Sequence, residues 1–455
     1  MIAPDVLSSV LVEHLPDHLS RQRWSGAQEG DITHLEVEWL DVLQPDEPLL
    51  AWALVLARLA DGSEHRYQIF VGGRRASEAP EFLEGKDREI VHVVPQEDGD
   101  VVLYDALVDP DLAIAILHLV APEIEVEVRR PIVLEHSNSS VVFDETSILK
   151  IFRKVVPGPN PDVEITRVLA GHGYPNVLAP LAELRKGDTD LAVLREFLVG
   201  ASDGWQLART SVRDMLASRL PPEDSGGDLA PGMARLGLTI AGLHVAMADA
   251  WGSTPGVAGG WIDQMEAYLD SLPGLGVAVE TLDFDPDAVR VRFERARALE
   301  DTGREIRIHG DLHLAQVIQV DAGWVVLDFE GEPARRRADR FTLSSPLRDV
   351  AGILRSLHYA AAAGLAEWDL GDDELAALLV AWEERNRAAF LDSYLGYGGV
   401  DGLLPTDPAA RAALLAAFEL DKAVYELGYE LRHRPELASI PLEGIDRLVR
   451  GPVPT

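Results

Sequence analysis

The chain has 455 residues, of which 47% are hydrophobic and 26% charged, and its formal net charge is −35. This length allows two or three domains, each with its own core. The acidic balance argues against nucleic acid or an anionic membrane as partner, because both attract basic surfaces. No apolar run approaches the roughly 20 residues of a membrane helix, and the chain has no cysteine for disulfides or thiolate chemistry. The start resembles no signal peptide, so we expect a cytoplasmic protein.

The first 90 residues predict a helix followed by antiparallel strands. Two apolar segments, AWALVLARLA and EHRYQIFVG, flank the dipeptide Asp61-Gly62 and predict a β-hairpin. The segment RQRW at residues 21–24 is interpreted as an aromatic anchor at the end of the opening helix. A second apolar helical run follows at residues 113–120.

Residues 131–153 predict three strands separated by polar turns. The first turn offers hydroxyls and backbone N–H groups that suit phosphate, from Ser137, Asn138, Ser139 and Ser140. Lys150 stands in the apolar strand ILKIF, where its ammonium group needs a carboxylate or phosphate partner. The candidate carboxylate is Glu164, in a helix predicted to begin near residue 160. The alternatives are an ordinary hairpin turn and a protective lysine on an edge strand.

Two further strands, predicted near residues 177–183 and 191–197, lead into a connector at residues 198–200. Glu196 and Leu198 are the candidate residues there, since the main chain of such a connector can bind the edge of an adenine ring. After residue 200 the apolar spacing becomes helical. Asp349 is predicted to be the N-cap of one helix, and His244, on an apolar helix face, is interpreted as a packed histidine.

The most specific pattern lies in residues 306–333, IRIHGDLHLAQVIQVDAGWVVLDFEGEP. Two aspartates, Asp311 and Asp328, flank a predicted hairpin and should lie near one edge of it. Phosphoryl transfer needs one carboxylate to orient the acceptor hydroxyl and another to hold Mg²⁺. Gln316 adds an amide oxygen, which is a hard ligand. The chain lacks the P-loop, zincin and hydrolase motifs, and the alternative is two loop carboxylates with unrelated roles.

A helix predicted at residues 409–434 favours a sugar acceptor. Polar and aromatic side chains recur on one side of it, namely Lys422, Tyr425, Glu426, Tyr429, Glu430, His433 and Arg434. Aromatic planes suit the apolar faces of sugar rings, and charged groups suit the hydroxyls. Leu415, Phe418 and Val424 mark the opposite, buried side. The alternative is a solvated helix with ion pairs one turn apart.

The order of lysine strand, glutamate helix, H-G-D loop and D-F-E segment resembles the aminoglycoside-phosphotransferase-like kinases, a branch of the protein-kinase-like fold. The segments HGDLHLAQV, DFEGEP, SPLRDVAG and ELDKAVYE, with RQRW and SNSSVVF, resemble the bacterial maltokinases over essentially the whole chain. Ala315 departs from the glycine of that family. Gln316 stands where most of the wider group carries asparagine.

This resemblance implies an α+β, bilobal kinase fold with an extra N-terminal cap domain. The expected parts are the cap at residues 1–90, an intermediate region and N-lobe at 91–200, and a helical C-lobe at 201–455. The implied reaction is ATP-dependent phosphorylation of maltose at its anomeric hydroxyl, giving maltose 1-phosphate and ADP. That product would feed α-glucan (glycogen) synthesis alongside trehalose synthase, a possible partner.

The resemblance also assigns roles by position. Lys150 would contact the ATP phosphates and pair with Glu164. Asp311 would be the catalytic base, and the metal ligands for Mg²⁺ would be Gln316 and Asp328. His309 joins the helix residues listed above as a candidate for the sugar site.

Two other functions remain open. A related kinase could act on glucosamine or an aminoglycoside; an acidic pocket would favour such a cationic acceptor, whereas Lys422 and Arg434 favour a neutral one. A catalytically inactive, nucleotide-binding partner of trehalose synthase is the other possibility. The presence of Lys150, Asp311 and Asp328 together argues against it.

Overall fold

The computed structural model describes residues 2–78, 81–97, 99–127, 132–135, 138–275, 284–331, 342–367 and 373–451. The chain forms two compact units. Unit 1 consists of Met1–Glu164 and Ala179–Val199, and unit 2 consists of Ile165–Leu178 and Gly200–Thr455. Sheets dominate the first unit and helices the second, which confirms the predicted α+β class.

The elements have the following bounds. The strands are β1 (Ile32–Gln44), β2 (Leu49–Leu59), β3 (Glu64–Arg75), β4 (Ile90–Val94), β5 (Val101–Asp105), β6 (Ile132–Glu135), β7 (Ser139–Phe143), β8 (Ser147–Ile151), β9 (Lys154–Val155), β10 (Ala182–Lys186), β11 (Thr189–Glu196), β12 (Ser202–Asp203), β13 (Ser253–Pro255), β14 (Arg304–Ile306), β15 (Val317–Val320) and β16 (Gly323–Val326). The α-helices are α1 (Pro4–Arg21), α2 (Pro110–Val120), α3 (Pro161–Gly171), α4 (Gly204–Ser218), α5 (Ala230–Trp251), α6 (Ala258–Ser271), α7 (Pro286–Arg297), α8 (Leu347–Glu367), α9 (Asp373–Leu395), α10 (Pro408–His433) and α11 (Ser439–Arg450).

The first sheet of unit 1 has the order β1-β2-β3-β5-β4, and β9 also pairs with β3. Its central hairpin, β2 and β3, is the one predicted from the two apolar segments, and Gly62 supplies the left-handed backbone of the turn at φ +83°. Strands β4 and β5 lie after residue 90, the predicted end of the cap. They belong to the same sheet because β5 pairs with β3.

Helix α1 packs one leucine stripe into the core of unit 1. Its buried residues recur every fourth position, at Leu7, Leu11, Leu15 and Leu19. Trp24 follows the end of this helix and is only 4% exposed. Its ring meets Tyr67 edge-on with 6.0 Å between centroids, which confirms the predicted aromatic anchor.

The second sheet of unit 1 has the order β10-β11-β8-β7-β6. Lys150 lies on β8, an inner strand with partners on both sides, so the edge-strand alternative is wrong. The strand predicted near residue 177 begins later, at Ala182. Val177 instead forms an isolated bridge with Val326 inside unit 2, and Pro180 cannot donate to a ladder.

Unit 2 is helical around one large core. The helices predicted at residues 233–251, 373–394 and 409–434 are present as α5, α9 and α10, and each begins within three residues of its predicted start. Two tryptophans anchor the core: Trp324 Nε1 donates to the carbonyl of Gly232 at 2.9 Å, and Trp382 Nε1 donates to Ser211 Oγ at 2.9 Å. In the part of the chain described, none of the helices has the combined length and apolarity that crossing a membrane requires.

His18 is a buried titratable group on α1. Its ring is fully inaccessible, and Gln22 Nε2 lies 3.4 Å from its Nε2. Burial lowers the pKa of His18 from 6.5 to about 4, against a smaller opposing effect of Asp105. The folded protein therefore holds this ring neutral, and unfolding raises its proton affinity.

We expect His18 to make unit 1 sensitive to acid. Its pKa is lower in the folded state than in the unfolded state, so its contribution to stability is complete above pH 6.5 and declines as the pH falls toward about 4. The full effect is on the order of 3 kcal/mol. Between pH 7.5 and pH 4, the free energy of unfolding measured with denaturant should fall less steeply for His18→Asn than for the wild type. His34→Asn, at an exposed position, should keep the wild-type slope; equal slopes for all three proteins would contradict the prediction.

Candidate active site

The H-G-D loop lies in unit 2 between β14 and the short 3-10 turn Leu314–Gln316. Gly310 adopts φ +84°, a conformation that favours glycine, and Asp311 follows it. Strands β15 and β16 then form the predicted hairpin around Asp321 and Gly323. Asp328, two residues beyond β16, has a positive φ of 61°. The two aspartates therefore flank a tight hairpin, as the sequence predicted.

A buried carboxylate holds the H-G-D loop. Asp349 accepts hydrogen bonds from the backbone N–H groups of His309 at 2.8 Å and Gly310 at 2.9 Å. It also accepts one from His244 Nε2 at 3.2 Å. Burial alone would raise the pKa of Asp349, but these donors hold it below its ordinary value. The predicted N-cap role of Asp349 is wrong, because α8 begins earlier, at Leu347.

His244 completes this support from α5. The interpretation of His244 as a packed histidine is confirmed: it is fully buried, and its Nδ1 accepts a hydrogen bond from the Tyr394 hydroxyl at 2.8 Å. The other ring nitrogen donates to Asp349. A chain of three buried polar groups therefore runs from α9 through α5 to the H-G-D loop.

His309 serves the loop itself. Its Nε2 donates to the carbonyl of Leu327 at 2.8 Å, and its Nδ1 accepts from the backbone N–H of Asp311 at 3.3 Å. The ring also packs on Phe329 with 4.8 Å between centroids. The side chain is 1% exposed, so the prediction that it contacts substrate is wrong. It joins the Asp311 segment to the segment that carries Asp328.

Asp311 faces a lysine from the C-terminal part of the chain. Lys422 Nζ on α10 lies 3.1 Å from Asp311 Oδ1 and 4.6 Å from the centroid of the Tyr425 ring. His313 Nε2 is 3.9 Å from the other carboxylate oxygen, and burial lowers the pKa of His313. The predicted loop base and the predicted sugar helix thus meet at one carboxylate.

The candidate metal ligands also lie together. Gln316 Nε2 donates to Asp328 Oδ2 at 3.3 Å, which leaves the amide oxygen as its ligand atom. A carboxylate oxygen of Glu330 lies within 4.8 Å of one from Asp328. All three are half-buried oxygen donors, the set that suits Mg²⁺. Glu330 was not singled out from the sequence, although it is the glutamate of the quoted D-F-E segment.

A cavity of about 730 Å³ opens beside Asp311 within unit 2. It is lined by the predicted helix residues and by several side chains that the sequence did not indicate; the lining includes Trp205, Asp311, His313, Ser356, Tyr359, Lys422, Tyr425, Glu426, Tyr429, Glu430, His433 and Arg434. Leu415, Phe418 and Val424 are buried on the other side of α10, as predicted. The ion pair between Arg434 and Glu430, one turn apart on α10, agrees with the alternative of a solvated face, so the sugar-binding role of this face stays a prediction.

The glutamates of the cavity have cationic partners. Glu426 accepts from Arg355 Nη2 at 2.6 Å, and the Arg355 side chain is 1% exposed. Glu430 accepts from the Tyr359 hydroxyl at 2.9 Å and from Arg434 Nη2 at 2.6 Å. These partners come from α8 and from the end of α10. Sequence spacing gave the helix face but not these contacts, since α8 is far away along the chain.

Lys150, in unit 1, has a buried carboxylate partner. Its Nζ lies 3.2 Å from Asp162 Oδ2, and Arg195 Nη1 lies 2.9 Å from the same oxygen. Burial opposes ionisation, yet the two cations hold the pKa of Asp162 below its ordinary range. Asp162 stands two residues before Glu164, so the sequence located the right helix start. The pairing of Lys150 with Glu164 stays a prediction.

The polar turn before β7 is described in part. Ser137 lies outside the described residues. Asn138 is nearly buried and Ser140 half-buried, whereas Ser139 is fully buried and its Oγ accepts from Arg153 Nε at 2.8 Å. The prediction that the Ser139 hydroxyl is presented to phosphate is therefore wrong, because that group points into unit 1.

The connector after β11 is partly exposed. Glu196 ends β11 and is exposed, Leu198 is half-buried, and Val199 is 64% exposed. The backbone N–H of Phe197 donates to the carbonyl of Thr146 at 2.8 Å. The adenine-binding role of Glu196 and Leu198 stays a prediction.

Comparison with known proteins agrees with the resemblance inferred from the motifs. Residues 18–109 match the maltokinase N-terminal cap domain, so the chain carries this cap. The match reaches past residue 90 and includes β4 and β5, in agreement with their place in the first sheet.

Two curated relatives of this chain are named glucosamine kinases. That of Mycolicibacterium smegmatis is 27% identical over 330 residues, covering 69% of this chain and 77% of the relative. That of Streptacidiphilus jiangxiensis is 28% identical over 327 residues, covering 69% and 71%. Solved structures of glucosamine kinase superpose with TM-scores of 0.66 and 0.68 at 22% identity over 97–98% of this chain and 98–99% of theirs, the first in complex with glucosamine, ADP and inorganic phosphate. The protein-kinase-like fold is thereby confirmed.

Proposed function

We propose that this chain, which carries a maltokinase cap on a sugar-kinase fold, transfers the γ-phosphoryl group of ATP to the anomeric hydroxyl of maltose with Mg²⁺ as cofactor. One observation carries the proposal. The carboxylate of Asp311 faces a cavity of about 730 Å³ whose walls combine aromatic rings with paired charges. Such a wall suits a neutral polyol, and a carboxylate at its edge suits activation of a hydroxyl.

Asp311 acts on the acceptor. Its carboxylate accepts a hydrogen bond from the attacking hydroxyl, orients it toward the phosphoryl group and receives its proton. Lys422, 3.1 Å away, balances the charge of Asp311 before the acceptor arrives. The hydrogen bonds that Asp349 accepts from the loop backbone fix the position of the Asp311 carboxylate. Proximity effects in catalysis require a group to be held this precisely.

The phosphate side has its own residues. Gln316, Asp328 and Glu330 would hold Mg²⁺, which when bound neutralises charge on the transferring phosphoryl group. Lys150 would contact the ATP phosphates, with Asp162 setting the direction of its ammonium group. The main chain around Asn138 and Ser140 would bind phosphate, and the connector at Glu196 and Leu198 would bind adenine.

The spacing of two tyrosines along the cavity supports a two-ring acceptor. Tyr425 lies beside Lys422 and Asp311, and Tyr429 stands one helical turn farther along α10, about 6 Å away. That separation is about the length of one pyranose ring. The ring of Tyr429 packs against His433 at 4.6 Å between centroids. Tyr425 would therefore meet the ring that reacts, and Tyr429 the second glucose unit.

Charge pairing favours maltose over an amino sugar. The relatives act, by their names, on glucosamine, whose ammonium group needs a carboxylate. Here Glu426 is engaged by Arg355, and Glu430 by Tyr359 and Arg434. Glucosamine remains the second candidate acceptor. The supply of maltose 1-phosphate to α-glucan synthesis, and an association with trehalose synthase, are parts of this proposal that rest on the sequence resemblance alone.

The acceptor assay tests the proposal directly. With ATP and Mg²⁺, we expect ADP release with maltose to exceed that with glucosamine or kanamycin, and the product to be acid-labile, as an anomeric phosphate is. Coupled ADP detection and phosphorus NMR measure both. Phosphate that appears on glucosamine alone would overturn the maltose assignment. If none of the tested acceptors supports ADP release, the kinase proposal is overturned.

Asp311→Asn keeps the size of the side chain but removes the base. We expect kcat to fall by about 10²–10⁴-fold, whereas the Kd for Mg·ADP measured by calorimetry should change little. Asp321→Asn, in the turn between β15 and β16, is the matched control and should keep wild-type turnover. Near-normal turnover by Asp311→Asn would remove this residue as base.

Tyr425→Ala and Tyr429→Ala separate the two rings of the acceptor. Loss of Tyr425 should raise the KM for both glucose and maltose, by about tenfold if stacking contributes on the order of 1.4 kcal/mol. Loss of Tyr429 should raise only the KM for maltose. Initial rates at saturating ATP measure this difference, and identical effects of Tyr429→Ala on both sugars would contradict the two-ring arrangement.

A further inference from the structure

We propose that Arg153 is a positioning residue that ties the phosphate-binding elements of unit 1 to the cap domain. This inference rests on the proposed function, because it assumes that Lys150 and the polar turn before β7 bind nucleotide phosphates. Arg153 lies outside the cap match at residues 18–109, three residues after Lys150. Two of the groups that its guanidinium contacts, on Asp105 and Trp24, lie inside that match.

The guanidinium of Arg153 is completely buried and makes three contacts. Its Nη2 lies 2.5 Å from Asp105 Oδ2 at the end of β5. Its Nε donates to Ser139 Oγ at 2.8 Å, and its Cζ lies 4.7 Å from the centroid of the Trp24 ring. A buried cation without partners is very costly, so these three groups fix its position. One side chain thereby connects β7 with two separate segments of the cap.

The backbone around Arg153 is held by the cap as well. The carbonyl of Arg153 accepts from the backbone N–H of Gln68 on β3 at 2.8 Å. The side-chain amide of Gln68 donates to the carbonyl of Leu191 at 2.9 Å, and its oxygen accepts from Trp52 Nε1 at 3.0 Å. Directly afterwards, β9 pairs with β3. The chain therefore passes from the lysine strand β8 directly into the cap sheet.

This arrangement fixes the polar turn relative to the lysine strand. Ser139 is the first residue of β7, and its neighbour Ser140 pairs in register with Lys150 on β8. Arg153 holds Ser139 from just beyond the end of β8, where Ile151 pairs with Ser139. A shift of β7 along β8 would break the Ser139 contact, so the positions of Asn138 and Ser140 depend on Arg153 and on the counter-ion that the cap supplies. The cap thus acts on the nucleotide site through packing and charge.

A purely stabilising role for the ion pair is the alternative, and a paired substitution separates the two. Removing one partner of a buried ion pair destabilises strongly, whereas replacing both by neutral groups is often tolerated. Asp105→Asn with Arg153→Met removes both charges, and the asparagine oxygen can still accept from the backbone N–H of Leu107, as Asp105 does at 3.1 Å. This double variant should fold but cannot hold Ser139. Ser139→Ala removes the same link with both charges kept.

The experiment measures the Kd of Mg·ADP by calorimetry and the sugar KM by initial rates in the full chain. We expect both variants to raise that Kd about tenfold, the scale of a lost hydrogen bond to a charged group, and to leave the sugar KM within about twofold. Arg74→Met with Asp109→Asn is the matched control. This other ion pair of unit 1 joins β3 to the N-cap of α2, and its removal should leave the Kd unchanged.

Three outcomes decide the matter against Arg153. A Kd close to that of the wild type in both variants would overturn the positioning role. An equal rise of the Kd in the Arg74 and Asp109 control variant would show that the effect comes from general destabilisation of unit 1 and not from Arg153. Wild-type protein that binds no Mg·ADP would overturn this inference together with the proposed function. Wild-type protein that binds Mg·ADP but phosphorylates no sugar would overturn the proposed function alone, because the Kd test of Arg153 needs no acceptor.

Discussion

The candidate active site of unit 2 depends on one buried carboxylate. Asp349 accepts the backbone N–H groups of His309 and Gly310, which would otherwise be unsatisfied in a buried loop, and it is itself held by His244. His309 then donates to the carbonyl of Leu327, next to the candidate metal ligand Asp328. A short chain of hydrogen bonds thus fixes both ends of the hairpin, and the reactive side chains inherit their separation from it.

Paired charge is the second organising feature. The chain carries a net charge of −35, yet its candidate site must accept an anionic nucleotide together with a sugar. Each unit meets this requirement by placing cations directly against the carboxylates: Lys150 and Arg195 at Asp162, and Lys422 at Asp311. Local pairing therefore decides what the site can bind, because solvent and salt screen the electrostatic effect of the more distant acidic surface residues.

Charge pairing also connects the cap to the lysine strand. A fully buried arginine needs a counter-ion, and the cap provides it in Asp105, together with the aromatic face of Trp24. The cap and the lysine strand therefore stabilise each other. Its sheet, its counter-ion and its anchor residue all contribute to the environment in which the lysine strand folds.

Local sequence patterns predicted many of the elements and the residues proposed to carry the chemistry. Apolar period and turn residues predicted the β2–β3 hairpin, the helices of unit 2 and the hairpin between Asp311 and Asp328, because these signals depend on neighbours along the chain. Such patterns could not determine which distant groups meet. Tertiary packing decided that Asp162 faces Lys150, that His309 and Ser139 turn inward, and that the carboxylates of the sugar cavity are paired. Burial makes each of these choices, since a polar group removed from water takes whichever partner the fold brings within reach.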